Sequence, residues 1–328
     1  MLSRRSSLTQ LILVSITTLL SLPATVSATT FHLQDNFVGD SFKQGFTWET
    51  FNDPTGGRVN YVDLPTAQAN NLTYTAPGKF VIRGDDQNVV PPGARGRDSV
   101  RIVSNNAYTD SVIVFDVQHM PWGCAQWPAF WTLTNQNWPD GGEVDIIEGI
   151  NLQGQNLASL HTSPGCSMPH NRQQSGTAHT DDCNTAVNHN SGCGSSFNKA
   201  NNYGSGFNGA GGGWYVISRT NADGMAMYFW SRNDNSVPAD VRNGAPNLTP
   251  SPSWGKPEAS FPSTQCDFSS HFTPHNIIIN LTFCGAWAGP RFSSAGCGSD
   301  TCEDYVNNNP QAFQQAYWEI NALRVYTP

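Results

Sequence analysis

Charge and helical patterning are both scarce in this chain. Charged residues make up 13% of its 328 positions, and 17 Lys and Arg face 25 Asp and Glu, for a formal net charge of −8. That balance argues against a nucleic-acid partner, whose phosphates select a basic surface. Beyond the first residues, no apolar run approaches the ~20 residues of a membrane-spanning helix, so no membrane partner is expected. The eight His form no H-E-x-x-H and the eight Cys form no tight C-x-x-C pair, so no motif asks for a metal or another cofactor. Nothing in the sequence requires an oligomer, and a monomer is expected.

Turn formers and rings are plentiful instead. The 30 Gly and 21 Pro suit many turns, and 17 Phe with 10 Trp supply rings that can bind something neutral. At the N-terminus, Arg4 and Arg5 precede the apolar run LILVSITTLLSL, and Val26-Ser27-Ala28 is a small-residue cleavage pattern. Residues 1–28 therefore read as a secretory signal, and a secreted, extracellular protein is expected. Its removal takes two Arg and leaves 15 basic against 25 acidic residues, about −10. After such a leader, Cys124, Cys166, Cys183, Cys193, Cys266, Cys284, Cys297 and Cys302 most simply make up to four disulfides. Cys183 with Cys193 and Cys297 with Cys302 read as local loop staples, although the full pairing is open. Asn71, Asn247 and Asn280 each begin an N-x-T glycosylation sequon. Asn280 lies in a strand-like run, where a glycan is not expected.

Strand signals dominate the remaining chain. RVNYVDL, FVIR, SVRIVS and SVIVFDVQHM are short β-rich stretches between polar, Gly or Pro segments. WYVISRT and MAMYFWS flank NADG, a good hairpin connection. NIIINLTF and YWEINALRVY add later strands, and PQAFQQAYW suits a brief helix or turn. Residues 170–213, rich in Asn, Ser, Gly and Thr, read as long surface connections held by cysteines. Apolar segments flank them on both sides, so a single all-β sandwich over residues 29–328 is expected rather than two domains.

One stretch breaks the apolar monotony: Gly-Gly-Glu143-Val144-Asp145-Ile146-Ile147-Glu148-Gly149. Side chains in a strand alternate faces, so Glu143 and Asp145 share a face and Glu148 would point away. A bulge at Ile146-Ile147 would return Glu148 to that face and leave both isoleucines for the core. Gly141-Gly142 and Gly149 make sharp local geometry easier. Three carboxylates in one cleft suit glycoside hydrolysis, which needs one carboxyl as nucleophile or base and another as acid. A third can hold the nucleophile and push neighbouring pKa values apart. An acidic rim or an oxygen-lined calcium site would use the same residue types. Trp122, Trp127, Trp131 and Trp138 precede the acids and tilt the reading toward sugar, whose C–H faces stack on flat rings. Trp127 is instead a candidate for packing beneath the acidic strand.

Glu143-Val144-Asp145-Ile146-Ile147-Glu148 resembles the E-x-D-x-x-E signature of glycoside hydrolase family 16. The run from WPAFW through EVDIIEG is similar to the fungal laminarinase-type endo-1,3(4)-β-glucanases of that family, as are QGFTWETFNDPTGGRVNY, HTSPGC, CGAWAG and YWEINALRVY. The resemblance implies a bent antiparallel β-sandwich of the jelly-roll, concanavalin A-like kind, with long disulfide-stapled loops. It implies Glu143 as nucleophile, Glu148 as general acid/base and Asp145 as the residue assisting Glu143. Trp131 and Trp138 would line the donor side, Trp287 would add a stacking platform, and His161 would hydrogen-bond near the reactive sugar. An ordinary structural His is the alternative for His161. The implied partner is β-glucan, cleaved internally at β-1,3 linkages with tolerance for mixed β-1,3/1,4 chains. Transglycosylation and non-catalytic glucan binding are the rival activities.

Overall fold

The computed structural model describes residues 29–134 and 137–328; the expected leader, residues 1–28, lies outside the described residues. Ser111–His119 illustrates why the strand-rich reading holds. Ile113, Phe115 and Val117 enter one buried cluster, while Val112 and Val114 enter another on the opposite side. That is the period-two alternation of a strand covered on both faces. Among the described residues, two large antiparallel sheets of nine and eight strands pack together, with a small parallel pair, Val59–Tyr61 and Arg97–Ser99, beside them. The main core lies between the sheets. Phe115 of the nine-stranded sheet stacks on Phe130 of the eight-stranded sheet, with ring centroids 4.0 Å apart.

The eight-stranded sheet has Gln126–Leu133 and Glu143–Glu148 at its centre. Leu157–His161 flanks Glu143–Glu148, and His275–Phe283 flanks Gln126–Leu133. Its inner face sends Phe130, Val144, Ile146, Ile277 and Ile279 into the core. Its outer face is left for polar and aromatic side chains. In the other sheet, Gly213–Thr220 and Gly224–Ser231 form the expected hairpin around residues 221–223, and Tyr317–Thr327 runs as a strand of 11 residues. Pro310–Phe313 is a short 3-10 turn before it.

Three expectations change. RVNYVDL is a strand only over Val59–Tyr61, because Asp63 caps a helix, Leu64–Ala69, by accepting from the Thr66 N–H. Residues 170–213 are more than surface connection. Cys193–Ser196 pairs with Leu157–His161, and Phe197, Tyr203 and Phe207 are buried in the main core. Small Gly194 and Ser195 allow that close edge pairing despite a sequence that reads as loop. Finally, Cys183–Cys193 is a local staple as expected, but Cys297–Cys302 is not a bond. Cys297 joins Cys124, and Cys302 joins Cys284; Cys166–Cys266 completes four disulfides. Closeness in sequence does not select a pairing when the sheet brings distant loops together.

Candidate active site

The sharp feature of the eight-stranded sheet is the predicted bulge. Along Leu157–His161, Asp145 faces Ser159 but Glu148 faces Leu157, so three steps on one strand match two on the other. Along Gln126–Leu133 the register also slips, between Asp145–Trp131 and Ile147–Phe130. Ile146 and Ile147 are both buried in the core, and Glu148 returns to the face of Glu143 and Asp145. Gly141 and Gly142 enter the strand at positive φ, 85° and 80°; a Cβ on Gly142 would lie 2.6 Å from the His271 carbonyl oxygen. Gly149 is needed for a different reason, since its Cβ would meet the Tyr203 ring at 2.6 Å.

Cross-strand pairing arranges the outer face in rows. His161 faces Glu143, and beyond Glu143 lies Leu133; Ser159, Asp145 and Trp131 form the next row; Glu148, Ala129, Asn280 and Arg101 form a third. Each glutamate accepts one indole donor. Trp138 Nε1–H donates to Glu143 Oε2 at 2.6 Å, and Trp127 Nε1–H donates to Glu148 Oε1 at 2.9 Å. Burial, followed by the charge of Asp145, pushes both glutamates above the usual carboxylate range, Glu143 to about 7 and Glu148 to about 8. The indole donors oppose that rise.

Asp145 is 2% exposed, and its Oδ2 has no aligned hydrogen-bond partner. His161 Nε2 lies 3.3 Å from that oxygen, an ion-pair distance without good hydrogen-bond alignment. On the other side of the ring, Nδ1 meets Asn190 Oδ1 at 3.0 Å. An amide oxygen there calls for a proton on Nδ1, so a proton at Nε2 as well makes the ring a cation facing Asp145. Burial works against that cation, but Asp145, Glu143 and Glu148 together outweigh it and raise His161 to about 10. Donor atoms of Glu143, Asp145 and His161 lie within 4.8 Å of one another. A protonated His161 ring offsets part of the negative charge of the two carboxylates beside it.

The aromatics surround the acids. Trp138 is 48% exposed at the Glu143 end. Trp287, in the short helix Gly285–Ala288, meets Trp127 edge-on at 5.5 Å and so reaches the Glu148 end. Trp131 Nε1–H donates to Asn280 Oδ1 at 2.8 Å, and the Arg101 guanidinium sits 4.8 Å from the Trp131 ring centre. Arg101 in turn donates to Glu49 at 2.6 Å.

The family described as the XgeA-like, catalytic GH16 domain matches residues 46–326. The chain belongs to glycoside hydrolase family 16. It is 50% identical to the GH16 laminarinase 16A of Phanerochaete chrysosporium, solved with β-glucans in donor and acceptor sites. The match covers 91% of this chain and all of that one at a TM-score of 0.88. An elongating GH family 16 β-1,3-glucosyltransferase is 34% identical over 90% of this chain and all of its own, with a TM-score of 0.83. A probable endo-1,3(4)-β-glucanase of Aspergillus fumigatus is 38% identical over 90% of this chain, which spans only 45% of that protein's length.

Within this family 16 domain, the seven residues singled out from sequence are brought to one face: Glu143, Asp145, Glu148 and His161 in adjoining rows, and Trp131, Trp138 and Trp287 around them. Trp127 departs from the expected packing beneath the strand. It shares the outer face with Ala129 and Trp131, two and four residues on, and its indole touches Glu148. Strand parity from Trp131 would have placed it there. Asn190 and Arg101 were not legible at all, because each arrives from a distant segment. Asn280 was visible only as a sequon. Its carboxamide, 6% exposed and bonded to Trp131 and Tyr61, explains why that sequon is unsuited to a glycan.

Proposed function

We propose that this chain is a retaining endo-β-glucanase that hydrolyses internal β-1,3 linkages and accepts mixed β-1,3/1,4-glucans. The observation that carries the reading is the bulge, which sets Glu143, Asp145 and Glu148 on one face, where burial and the charge of Asp145 push the proton affinities of the two glutamates upward. Glu148, its proton affinity raised by burial and by the charge of Asp145, holds a proton near neutral pH and donates it to the glycosidic oxygen as that bond breaks. Glu143, ionised with help from the Trp138 N–H and the His161 cation, attacks the anomeric carbon and forms a glucosyl-enzyme. Glu148, now a carboxylate, takes a proton from water, which displaces Glu143 with net retention. Asp145 positions this pair and shares its charge with His161. Trp131, Trp138 and Trp287 offer ring faces to glucose units on either side of the scissile bond. No cofactor enters any step.

The protein is proposed to be secreted, with residues 1–28 as a cleaved leader and residues 29–328 as one catalytic domain. Four disulfides suit an oxidising compartment. Likeness to a glucosyltransferase of the family supports a second reading, in which another sugar intercepts the glucosyl-enzyme in place of water. Product analysis on defined β-1,3 and mixed-linkage glucans, with the anomeric configuration followed by NMR, tests both. Retained shorter oligosaccharides are expected. Inverted products would remove the mechanism, and products longer than the substrate would favour transfer.

A further inference from the structure

Asn156 is fully buried just before the Leu157–His161 strand, beside the bulge. Its carboxamide spans the irregularity. Oδ1 accepts the Glu148 N–H at 3.0 Å, and Nδ2 donates to the Ile146 carbonyl at 2.8 Å. On this side of the strand, pairing stops at Asp145–Ser159 and resumes at Glu148–Leu157, so Ile146 and Ile147 have no partner residue. A regular ladder would satisfy such main-chain groups with backbone. Here one planar amide supplies the missing donor and the missing acceptor together. Among short side chains only Asn carries both in a fixed plane.

The amide is itself held from behind. The Asn156 N–H donates to Asn202 Oδ1 at 2.7 Å, and its carbonyl accepts the Phe197 N–H at 3.0 Å. Asn202 Nδ2 donates to the Phe197 carbonyl at 3.3 Å. The residue holding the bulge is thus braced by the 197–202 segment, which shares the main core through Phe197.

From this geometry we infer that Asn156 is a positioning residue for Glu148, its carboxamide fixing the bulge in the form that aims the Glu148 side chain at the glycosidic oxygen. The inference rests on Glu148 acting as the general acid/base. Loss of the clamp should therefore impair proton transfer and spare the Glu143 attack.

The leaving group separates these effects. A 2,4-dinitrophenyl β-laminaribioside expels its phenolate unprotonated, and azide attacks the resulting laminaribiosyl-enzyme without a base. The new bond joins azide nitrogen to the anomeric carbon, and the Glu143 carboxylate departs. Asn156→Ala should lower kcat on laminarin about 10²-fold, in the range of a lost acid/base contribution, with little change in KM. Its turnover of the aryl glycoside with azide should stay within a few fold of the unsubstituted enzyme, yielding β-laminaribiosyl azide. Glu148→Ala should give the same pattern more strongly. Rates are taken per competent site, counted with a 2-fluoro-glycoside that traps Glu143.

If Glu148→Ala lacks the azide-rescued pattern, the acid/base reading of Glu148 falls. If Glu148→Ala gives the pattern and Asn156→Ala does not, losing both substrates equally or neither, the Asn156 inference is overturned. Asn156→Asp keeps an acceptor for the Glu148 N–H but has no donor for Ile146, and it serves in the same assay should the Ala variant not fold. Failure of both to fold would assign Asn156 to the stability of the sheet and overturn the proposal as well.

Discussion

Trp127 donates its indole N–H to Glu148 from the neighbouring strand, at 2.9 Å. Trp138 does the same for Glu143 at 2.6 Å. A donor to a carboxylate favours its ionised form, so each ring lowers the proton affinity of one glutamate. The pH profile of kcat/KM should be bell-shaped, failing on the acid side as Glu143 is protonated and on the alkaline side as Glu148 loses its proton. Trp127→Phe should move the alkaline limb to higher pH, and Trp138→Phe should move the acid limb to higher pH. Profiles in which both variants shift the same limb would contradict the pairing.

Glu143→Gln keeps the shape of the site and removes the nucleophile. Turnover of laminarin should fall by at least about 10⁴-fold, as for the loss of nucleophiles elsewhere. Affinity for laminari-oligosaccharides, measured by calorimetry, should stay within a few fold. Binding lost along with turnover would mean that the carboxylate serves chiefly to hold substrate.

Glu148 also bears on stability. Its proton affinity is raised in the folded state to about 8, chiefly by burial, whereas in the unfolded chain it is an ordinary carboxylate near 4.5. Below that ordinary value both states hold the proton, and burial of the side chain carries no charge penalty. As pH rises toward 8, the unfolded chain ionises first and folding loses stability. Glu148→Gln should therefore match the unsubstituted enzyme in Tm near pH 4 and exceed it increasingly up to pH 8. Calorimetry across that range checks the sign.

Cys284–Cys302 closes a loop of 18 residues around the helix that carries Trp287. A bond closing a loop of this length stabilises by about 3 kcal/mol through the unfolded chain. The double replacement Cys284→Ser with Cys302→Ser should lose about that much in chemical denaturation. It should also raise KM more than it lowers kcat, because the ring it anchors touches Trp127 and not a carboxylate.

The spacing of three acids was enough to foresee the bulge, because strand parity left Glu148 on the wrong face and only an extra residue could restore it. Short β-rich runs likewise marked Ser111–His119 and His275–Phe283 as strands. The limits are equally physical. Cys297 and Cys302 are neighbours in sequence, yet each bonds a partner brought in by the sheet. Gly194 and Ser195 make a strand through pairing rather than propensity. Asn156 and Asn190 look like ordinary loop residues until the fold sets them against Ile146, Glu148 and His161.

The strand Tyr317–Thr327 lies inside the nine-stranded sheet rather than at its edge. It pairs with Ser111–His119 along one side, and with Phe31–Phe37 and Lys79–Arg83 along the other, so His32 faces Thr327 across nearly the whole described chain. During synthesis, the earlier strands must wait with an open seam until residue 327 leaves the ribosome. Such long-range closure makes folding slow and leaves sticky strand edges bare in the meantime. A ribosome-bound chain stopped short of Tyr317 is thus the form of this enzyme most in need of a chaperone.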